Sequence, residues 1–146
     1  MKKVFLASSM RGGNDNAPLY SLKQLQNALK EIGLEVISMH QTEEGILEKE
    51  DKLSETSVYR RDRDWIKQCY LLVAEMSDAS HGVGAEISHA IDDGLWVLGV
   101  YNVPAERVSK YVRGMITDYR PKGRHAQYYD INDFKRIVNE FVDMIG

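Results

Sequence analysis

The sequence has 146 residues, of which 43% are apolar and 28% are charged, as expected for one globular domain with its own hydrophobic core. The formal charge of −3 argues against nonspecific binding to DNA or to an anionic membrane surface. Cys69 is the single cysteine and cannot form an intramolecular disulfide, and no apolar stretch is long enough to span a bilayer. We therefore expect one cytoplasmic domain over residues 1–146, with no nucleic-acid and no membrane partner.

The amino-terminal third of the chain predicts a strand, a loop, a helix and a second strand in turn. Residues 4–7 are continuously apolar, which is typical of a buried parallel strand, and they lead into a glycine-containing loop at residues 8–13. Apolar residues then recur at three- and four-residue steps and predict a helix that ends at Gly33. Residues 34–39 are predicted to form a second strand. Residues 41–56 are polar, and we expect a partly helical loop there.

The middle of the chain repeats this alternation. After a further helix, residues 71–74 are apolar and predict a buried third strand that ends at Glu75. A second glycine-containing loop follows at residues 77–84. The next helix is expected to stop near Gly94, and residues 95–101 are predicted to form the fourth strand.

The carboxyl-terminal segment completes the pattern. Pro104 is predicted to open a helix, residues 127–131 to form a fifth strand, and Asn132 or Asp133 to cap the last helix. Strands that alternate with helices through short links predict a three-layer α/β fold of the flavodoxin-like or Rossmann-like kind. We expect five parallel strands in the order 2-1-3-4-5.

This strand order places the two glycine-containing loops side by side. The first and third strands are neighbours in it, and the topology switches between them. Ligands of open α/β sheets bind beyond the carboxyl ends of the strands at such a switch. Residues 8–13 and 77–84 follow these two strands, so we expect the functional site between the two loops.

The first loop carries groups that suit a phosphate. Ser8 and Ser9 offer hydroxyls, Arg11 offers a guanidinium, and Gly12 and Gly13 allow a ligand to approach the backbone closely. The alternative is a plain turn with a surface arginine, because glycine-containing loops after strands are common. The residues of this loop alone leave both interpretations open.

Three acidic residues fall near the same edge of the predicted sheet. Glu86 is expected in the first turn of its helix, where free N–H groups would keep a carboxylate ionised, as a glycosyl-transferring nucleophile requires. Asp62 shares a helical face with apolar residues, where an unused carboxylate is costly, and Glu75 ends a buried strand. The alternatives are an ordinary helix-dipole partner for Glu86 and a solvated charge run around Asp62.

No metal and no cofactor is predicted. The four histidines show no spacing typical of metal ligands, and Glu86 and His89 lie three residues apart without a second such pair. The sequence contains neither the Gly-Lys-Ser/Thr phosphate loop nor the G-x-G-x-x-G pattern. A nucleotide triphosphatase of the P-loop class and a dinucleotide-dependent enzyme are therefore both unsupported.

Five segments resemble, in the same order, motifs of the nucleoside 2-deoxyribosyltransferase family, and within it the 2′-deoxynucleoside 5′-phosphate N-hydrolases. The segments are FLASSMRGG at residues 5–13, RDRDW at 61–65, LVAEM at 72–76, SHGVGAE at 80–86 and SKYVRG at 109–114. Each motif is short, and the ordered set is specific. The resemblance implies cleavage of the bond between base and sugar in a small nucleotide substrate, without a cofactor.

The resemblance also implies roles for the acidic residues. Glu86 would attack the anomeric carbon and form a covalent glycosyl-enzyme. Asp62 would protonate or hold the departing base, and Glu75 would hold the sugar or support the nucleophile. A transferase that passes deoxyribose between bases would use the same nucleophile but a neutral 5′ end, and a nucleotide-sensing module on the same fold would need none of the three carboxylates.

The residues implied for binding the substrate come from both loops and from a second subunit. Ser109 would reach into the neighbouring site of a homodimer. The 5′-phosphate would be bound by six residues: Ser9, Met10 (through its backbone), Arg11, Gly12, Ser80 and Gly82.

Phe5 stands where the deoxynucleotide hydrolases carry tyrosine. We expect it at the end of its strand, beside the bound sugar, where the absence of a hydroxyl leaves room for the 2′-OH of a ribonucleotide. In this respect the chain looks like the branch of the family that hydrolyses cytidine 5′-monophosphate. The alternative is that Phe5 belongs only to the hydrophobic core, which is the usual place of a phenylalanine in a strand.

Overall fold

The computed structural model describes residues 2–9, 21–37, 49 and 52–146. Strands and helices alternate along these residues. In chain order the elements are β1 Lys3–Ala7, α1 Leu22–Glu31, β2 Glu35–Val36, α2 Glu55–Lys67, β3 Leu71–Glu75, α3 His81–Asp92, β4 Trp96–Tyr101, a 3₁₀ turn at Ala105–Arg107, α4 Lys110–Asp118, β5 Gly123–Gln127 and α5 Ile131–Ile145.

The five strands form one parallel sheet in the order β2-β1-β3-β4-β5, which confirms the predicted fold. Phe5 pairs with Leu72 and Ala7 with Ala74, so β1 and β3 end side by side. Since the order of the strands reverses between these two, their carboxyl ends open onto the switch point where ligands of such sheets bind.

Alternate residues of each strand enter two separate hydrophobic cores, as the pleat of a strand requires. Leu6 and Val73 point to one face, where they pack against α1 and α5, and we call this the α1/α5 core. Phe5 and Leu72 point to the other face, where α2, α3 and α4 cover them, and we call this the α2–α4 core. No helix within the described ranges is long and apolar enough to cross a membrane.

Polar caps set the starts of the helices. Ser21, Ser54, Ser80, Ser109 and Asp130 each accept a hydrogen bond from the backbone N–H three residues further on. Such a cap satisfies one of the free N–H groups of a helix start, and its removal destabilises a helix by about 1 kcal/mol. The helix ends agree with the sequence, because Gly33 and Gly94 follow α1 and α3 at φ angles of +97° and +81°.

The predicted fifth strand was wrong in position. β5 spans Gly123–Gln127, and the apolar residues of the predicted segment serve elsewhere, because Tyr128 is buried in the α1/α5 core and Ile131 begins α5. An edge strand is flanked by only one other strand, so its sequence lacks the apolar run of a central strand. α5 is capped by Asp130, whereas Asp133 accepts a hydrogen bond from the N–H of Tyr129.

Two further expectations need correction. The helix predicted from Pro104 is divided into the short 3₁₀ turn and α4, because Val108 is extended and Ser109 begins a new helix. The predicted loop over residues 41–56 overlaps the start of α2, which Ser54 caps. Residues 38–48, 50 and 51 lie outside the described residues, and these include residues 38 and 39, the end of the predicted second strand.

Candidate active site

The candidate site lies where β1 and β3 end. Ser8 and Ser9 follow β1 and are half-buried, and the chain after β3 leads through Ser77 to Ser80, the cap of α3. The remaining predicted phosphate ligands of the first loop, Met10, Arg11 and Gly12, lie outside the described residues. The described part of the site therefore consists of the end of β1, the β3–α3 connection and the facing sides of α2 and α3.

Glu86 lies in the second turn of α3, not in the first. Ser80 is the cap and His81 the first helical residue, so Glu86 is the sixth. The field of a helix terminus falls off within the first turn, and the hydroxyl of Ser80 already satisfies the N–H of Val83. The helix start therefore supports the charge of Glu86 less than the sequence suggested.

Asp62 of α2 is close enough to act on Glu86. Burial and the negative charge of Asp62 together raise the pKa of Glu86 to about 8, against the opposing positive charge of Arg61. The predicted ionised carboxylate is therefore not the form that this structure favours at pH 7. Glu86 is thus the carboxyl that retains a proton beside the negative charge of Asp62, as happens when like charges lie close together.

Arg61 is the residue that the sequence interpretation overlooked. Its Nε atom lies 3.0 Å from Oδ1 of Asp62, and its guanidinium carbon lies 4.7 Å from the ring centroid of Trp65. The i,i+4 spacing of Arg61 and Trp65 could have revealed the stack. It was hidden because Arg61 is one of several alternating charges, which usually mark a solvated helix face.

Glu75 is held on the opposite face of the sheet from α3. Its side chain is only 1% exposed. Oε2 accepts a hydrogen bond from the hydroxyl of Tyr128, and Oε1 accepts one from the N–H of Ser77, both at 2.5 Å. Burial raises the pKa of Glu75 above its ordinary value, whereas the hydrogen bonds from Ser77 and Tyr128 lower it.

The structure therefore separates the three predicted acidic residues. It brings Asp62 and Glu86 together across the α2–α3 interface, while the carboxyl of Glu75 is bonded on the side of the α1/α5 core. Tyr128 and Ser77 are further residues that the sequence did not single out. The hydroxyl of Ser77 also donates to Oδ1 of Asn102, which links the ends of β3 and β4.

Ser80 and Ser109 line one cavity of about 470 Å³ between the starts of α3 and α4. Each hydroxyl accepts a backbone N–H of its own helix, from Val83 and Val112 respectively, at 3.2 Å. Each hydroxyl proton is therefore available to an outside acceptor. At Gly82 a Cβ atom would meet only Oγ of Ser80, at 3.8 Å, so internal packing does not require glycine there.

Phe5 is the third of the five residues of β1 and does not end the strand. Its side chain is 0% exposed and packs in the α2–α4 core together with Ile66 of α2 and Ile87 of α3. The strand continues because Leu6 and Ala7 keep pairing with β3. Phe5 therefore lies beneath the two helices that carry Asp62 and Glu86, and its effect on the choice of sugar stays a prediction.

Comparisons with known proteins place the chain in a family. A sequence model described as nucleoside 2-deoxyribosyltransferase matches residues 4–139. A Methanococcoides burtonii protein named 2′-deoxynucleoside 5′-phosphate N-hydrolase 1 is 37% identical over 112 residues, which cover 77% of this chain and 89% of that protein. A Methanosarcina barkeri protein of the same name is 33% identical over 140 residues, which cover 96% of this chain and 84% of that protein.

A solved structure agrees with the fold. The CMP N-glycosidase of Clostridium botulinum matches with a TM-score of 0.66 at 22% identity, over 96% of this chain and 99% of that one. The family match includes Asp62, Glu75 and Glu86, and the two relatives exceed 30% identity over most of the chain. The chain therefore belongs to the nucleoside 2-deoxyribosyltransferase family, as the order of its motifs indicated.

Proposed function

We propose that this protein hydrolyses the N-glycosidic bond of nucleoside 5′-monophosphates to a free base and a sugar 5-phosphate. The observation that carries the proposal is the pair of Asp62 and Glu86, on the neighbouring helices α2 and α3, which are close enough for the charge of Asp62 to act on Glu86. The relatives named as N-hydrolases of nucleoside 5′-phosphates support the same reaction.

The proposed reaction has two steps and needs no cofactor. Glu86, as the carboxylate, bonds to C1′ while the C–N bond breaks through an oxocarbenium-like state, and the electron pair of that bond leaves with the base. Asp62, as the carboxylate bonded to Arg61, holds the departing base through a hydrogen bond, and the base takes a proton from solvent. Water then attacks C1′ and gives its proton to the Asp62 carboxylate, which releases Glu86 and the sugar phosphate.

The proposed phosphate site combines both loops. Ser80 caps α3 with its hydroxyl oxygen, so its hydroxyl proton remains available to a phosphate oxygen. The space around Gly82 is open, so a phosphate could approach its backbone. Ser9, Met10, Arg11 and Gly12 would complete the site, as their resemblance to the family's first loop implies. If a free nucleoside is cleaved as efficiently as its 5′-monophosphate, the phosphate site is wrong.

We further propose a homodimer in which Ser109 completes the neighbouring site. Two observations support it: Ser109 is exposed at the start of α4, and Tyr111 beside it is 84% exposed at the mouth of the cavity between α3 and α4. Sedimentation at the concentration of the assay measures the assembly. A fully active monomer would contradict the proposal.

The decisive test is to incubate the protein with matched ribo- and deoxyribonucleoside 5′-monophosphates of each base and to measure the free base. We expect release from the 5′-monophosphates in the wild type and none above background in Glu86→Gln. Release of no base from any nucleotide would overturn the proposal.

The family match favours one second candidate, the exchange of a deoxyribosyl group between two bases. Adding a second free base to the same assay tests it, because a transferase forms a new nucleoside or nucleotide. We expect water to be the acceptor and the sugar 5-phosphate to be the product.

A further inference from the structure

We propose that Arg61 is a positioning residue of this site: stacked on Trp65 and bonded to Asp62, it holds the Asp62 carboxylate in place and supplies positive charge beside Glu86. This inference rests on the proposed function, because it assigns Arg61 to the same pair of carboxyls. It adds a residue that does not itself react with the substrate and that acts on the charges of Asp62 and Glu86.

The geometry fixes the guanidinium from two sides. Nε lies 3.0 Å from Oδ1 of Asp62, and the guanidinium carbon lies 4.7 Å from the centroid of the Trp65 ring. Trp65 in turn packs against the α2–α4 core. Only about a quarter of either side chain of the Arg61–Asp62 pair is exposed, at 24% and 25%, so solvent screens this pair less than a surface ion pair.

The charges around Glu86 have opposite effects on it. On α2, Asp62 disfavours a second negative charge and Arg61 favours it. On α3 itself, His89 lies one turn further on and contacts Tyr59 at a centroid distance of 6.1 Å. The next charged pair of the α2–α3 interface, Arg63 and Asp93, is bonded to itself at 2.8 Å.

The charge of Arg61 matters because of what Glu86 must do. The nucleophile has to be ionised, but burial and Asp62 both favour its protonated form. Arg61 is the described cation that acts against them. An arginine suits this place better than a lysine, because a planar guanidinium can lie over an aromatic ring while an N–H bonds a carboxylate.

The direct test is to follow the ionisation of Glu86 without substrate. Protein labelled with ¹³C at the glutamate carboxyl carbon is titrated by NMR, and Glu86→Gln identifies the resonance of Glu86. We expect Arg61→Gln to raise the midpoint by about one pH unit, because a neighbouring opposite charge lowers the pKa of a carboxyl by that order. Arg61→Lys should keep most of the wild-type midpoint, because it keeps the charge.

Arg60→Gln is the matched control. It removes the same charge from the adjacent position of α2, where the side chain is exposed, and the midpoint should stay that of the wild type. Arg61→Met keeps the apolar stem against Trp65 and provides the same loss of charge if Arg61→Gln does not fold. A merely structural role of Arg61 would change stability and leave the midpoint of Glu86 in place.

The second readout is the pH profile of kcat/KM with the best substrate of the nucleotide panel. The acid limb should move upward by the same shift in Arg61→Gln, which lowers kcat/KM at pH 7 by about tenfold. An unchanged midpoint in Arg61→Gln and Arg61→Met would overturn the inference, even if base release is normal. A raised midpoint in a protein that releases no base would retain the control of Glu86 by Arg61 and refute only the proposed reaction.

Discussion

Glu75 and Glu86 are two glutamates at the same edge of the sheet, the first buried and the second half-buried, and their surroundings differ. Both carboxyls have a pKa raised by burial. Glu75 has one donor on each oxygen, from Tyr128 and Ser77, and lies on the α1/α5 side. Glu86 instead lies on the α2–α4 side, close enough to Asp62 for the charge of that carboxylate to act on it. The first arrangement holds the ends of the strands together, and the second leaves a half-buried carboxylate poorly stabilised.

The largest expected difference between the two glutamates is in catalysis. Glu86→Gln should lower base release by about three or more powers of ten, because no other group can take its place as nucleophile. Glu140→Gln, at an exposed position of α5, is the matched control and should keep full activity. A variant Glu86→Gln that retained a tenth of the activity would remove Glu86 from the reaction.

The same variant should be more stable than the wild type at alkaline pH. The folded state raises the pKa of Glu86 from 4.5 to about 8, so the stability that this group contributes is present below pH 4.5 and is lost as the pH rises through 8. Glutamine stays neutral throughout. The Tm of Glu86→Gln should therefore rise relative to the wild type between pH 5 and pH 9.

Changes around Glu75 should act mainly on stability. Glu75→Gln puts an amide N–H₂ opposite a hydrogen-bond donor, so one of the two present hydrogen bonds is lost. Tyr128→Phe removes the donor to one carboxylate oxygen of Glu75. Each substitution should lower the free energy of unfolding by about 1–3 kcal/mol. Tyr129→Phe, at the exposed neighbouring position, is the matched control. A double-mutant cycle in denaturant measures the coupling of Glu75 with Tyr128. Purely additive effects would show that their hydrogen bond contributes nothing.

The pH dependence of kcat/KM in the wild type tests whether Glu86, unlike Glu75, must lose a proton for the reaction. If Glu86 must be ionised and its pKa is about 8, kcat/KM should rise about tenfold between pH 7 and pH 9. The second ionisation of the substrate phosphate, near pH 6, falls below this range and can be distinguished from it. A profile that is flat from pH 6 to pH 9 would show that Glu86 does not retain a proton at neutral pH.

The smallest expected effect concerns the two cores beneath these glutamates. Phe5 and Phe134 are both fully buried, the first in the α2–α4 core and the second in the α1/α5 core. Tyrosine at either position should lower stability by about 1–3 kcal/mol if its hydroxyl finds no partner. Only Phe5→Tyr should also shift the ratio of kcat/KM toward deoxyribonucleotides, because it lies beneath the helices of Asp62 and Glu86. An equal ratio in both variants would assign Phe5 to the core alone.

Much of the fold could be predicted from local patterns. Central parallel strands are buried on both faces, so β1, β3 and β4 show as apolar runs, and glycines after α1 and α3 mark the helix ends. The edge strand β5 has no such run and was displaced by several residues. The short extended break at Val108 and Ser109 was missed because Val108 fits the apolar spacing of a continuous helix.

The sequence by itself determined which residues are candidates for the site: Glu86, Asp62 and Glu75, with the serines and glycines of two loops at one edge of the sheet. Only the tertiary structure decided which of them meet. The alternation of side chains along β3 and the hydrogen bond from Tyr128 direct Glu75 away from α3, while the packing of α2 on α3 sets Asp62 and Arg61 beside Glu86. Burial and neighbouring charge, which arise only when distant segments of the chain come together, set the ionisation of a carboxyl group.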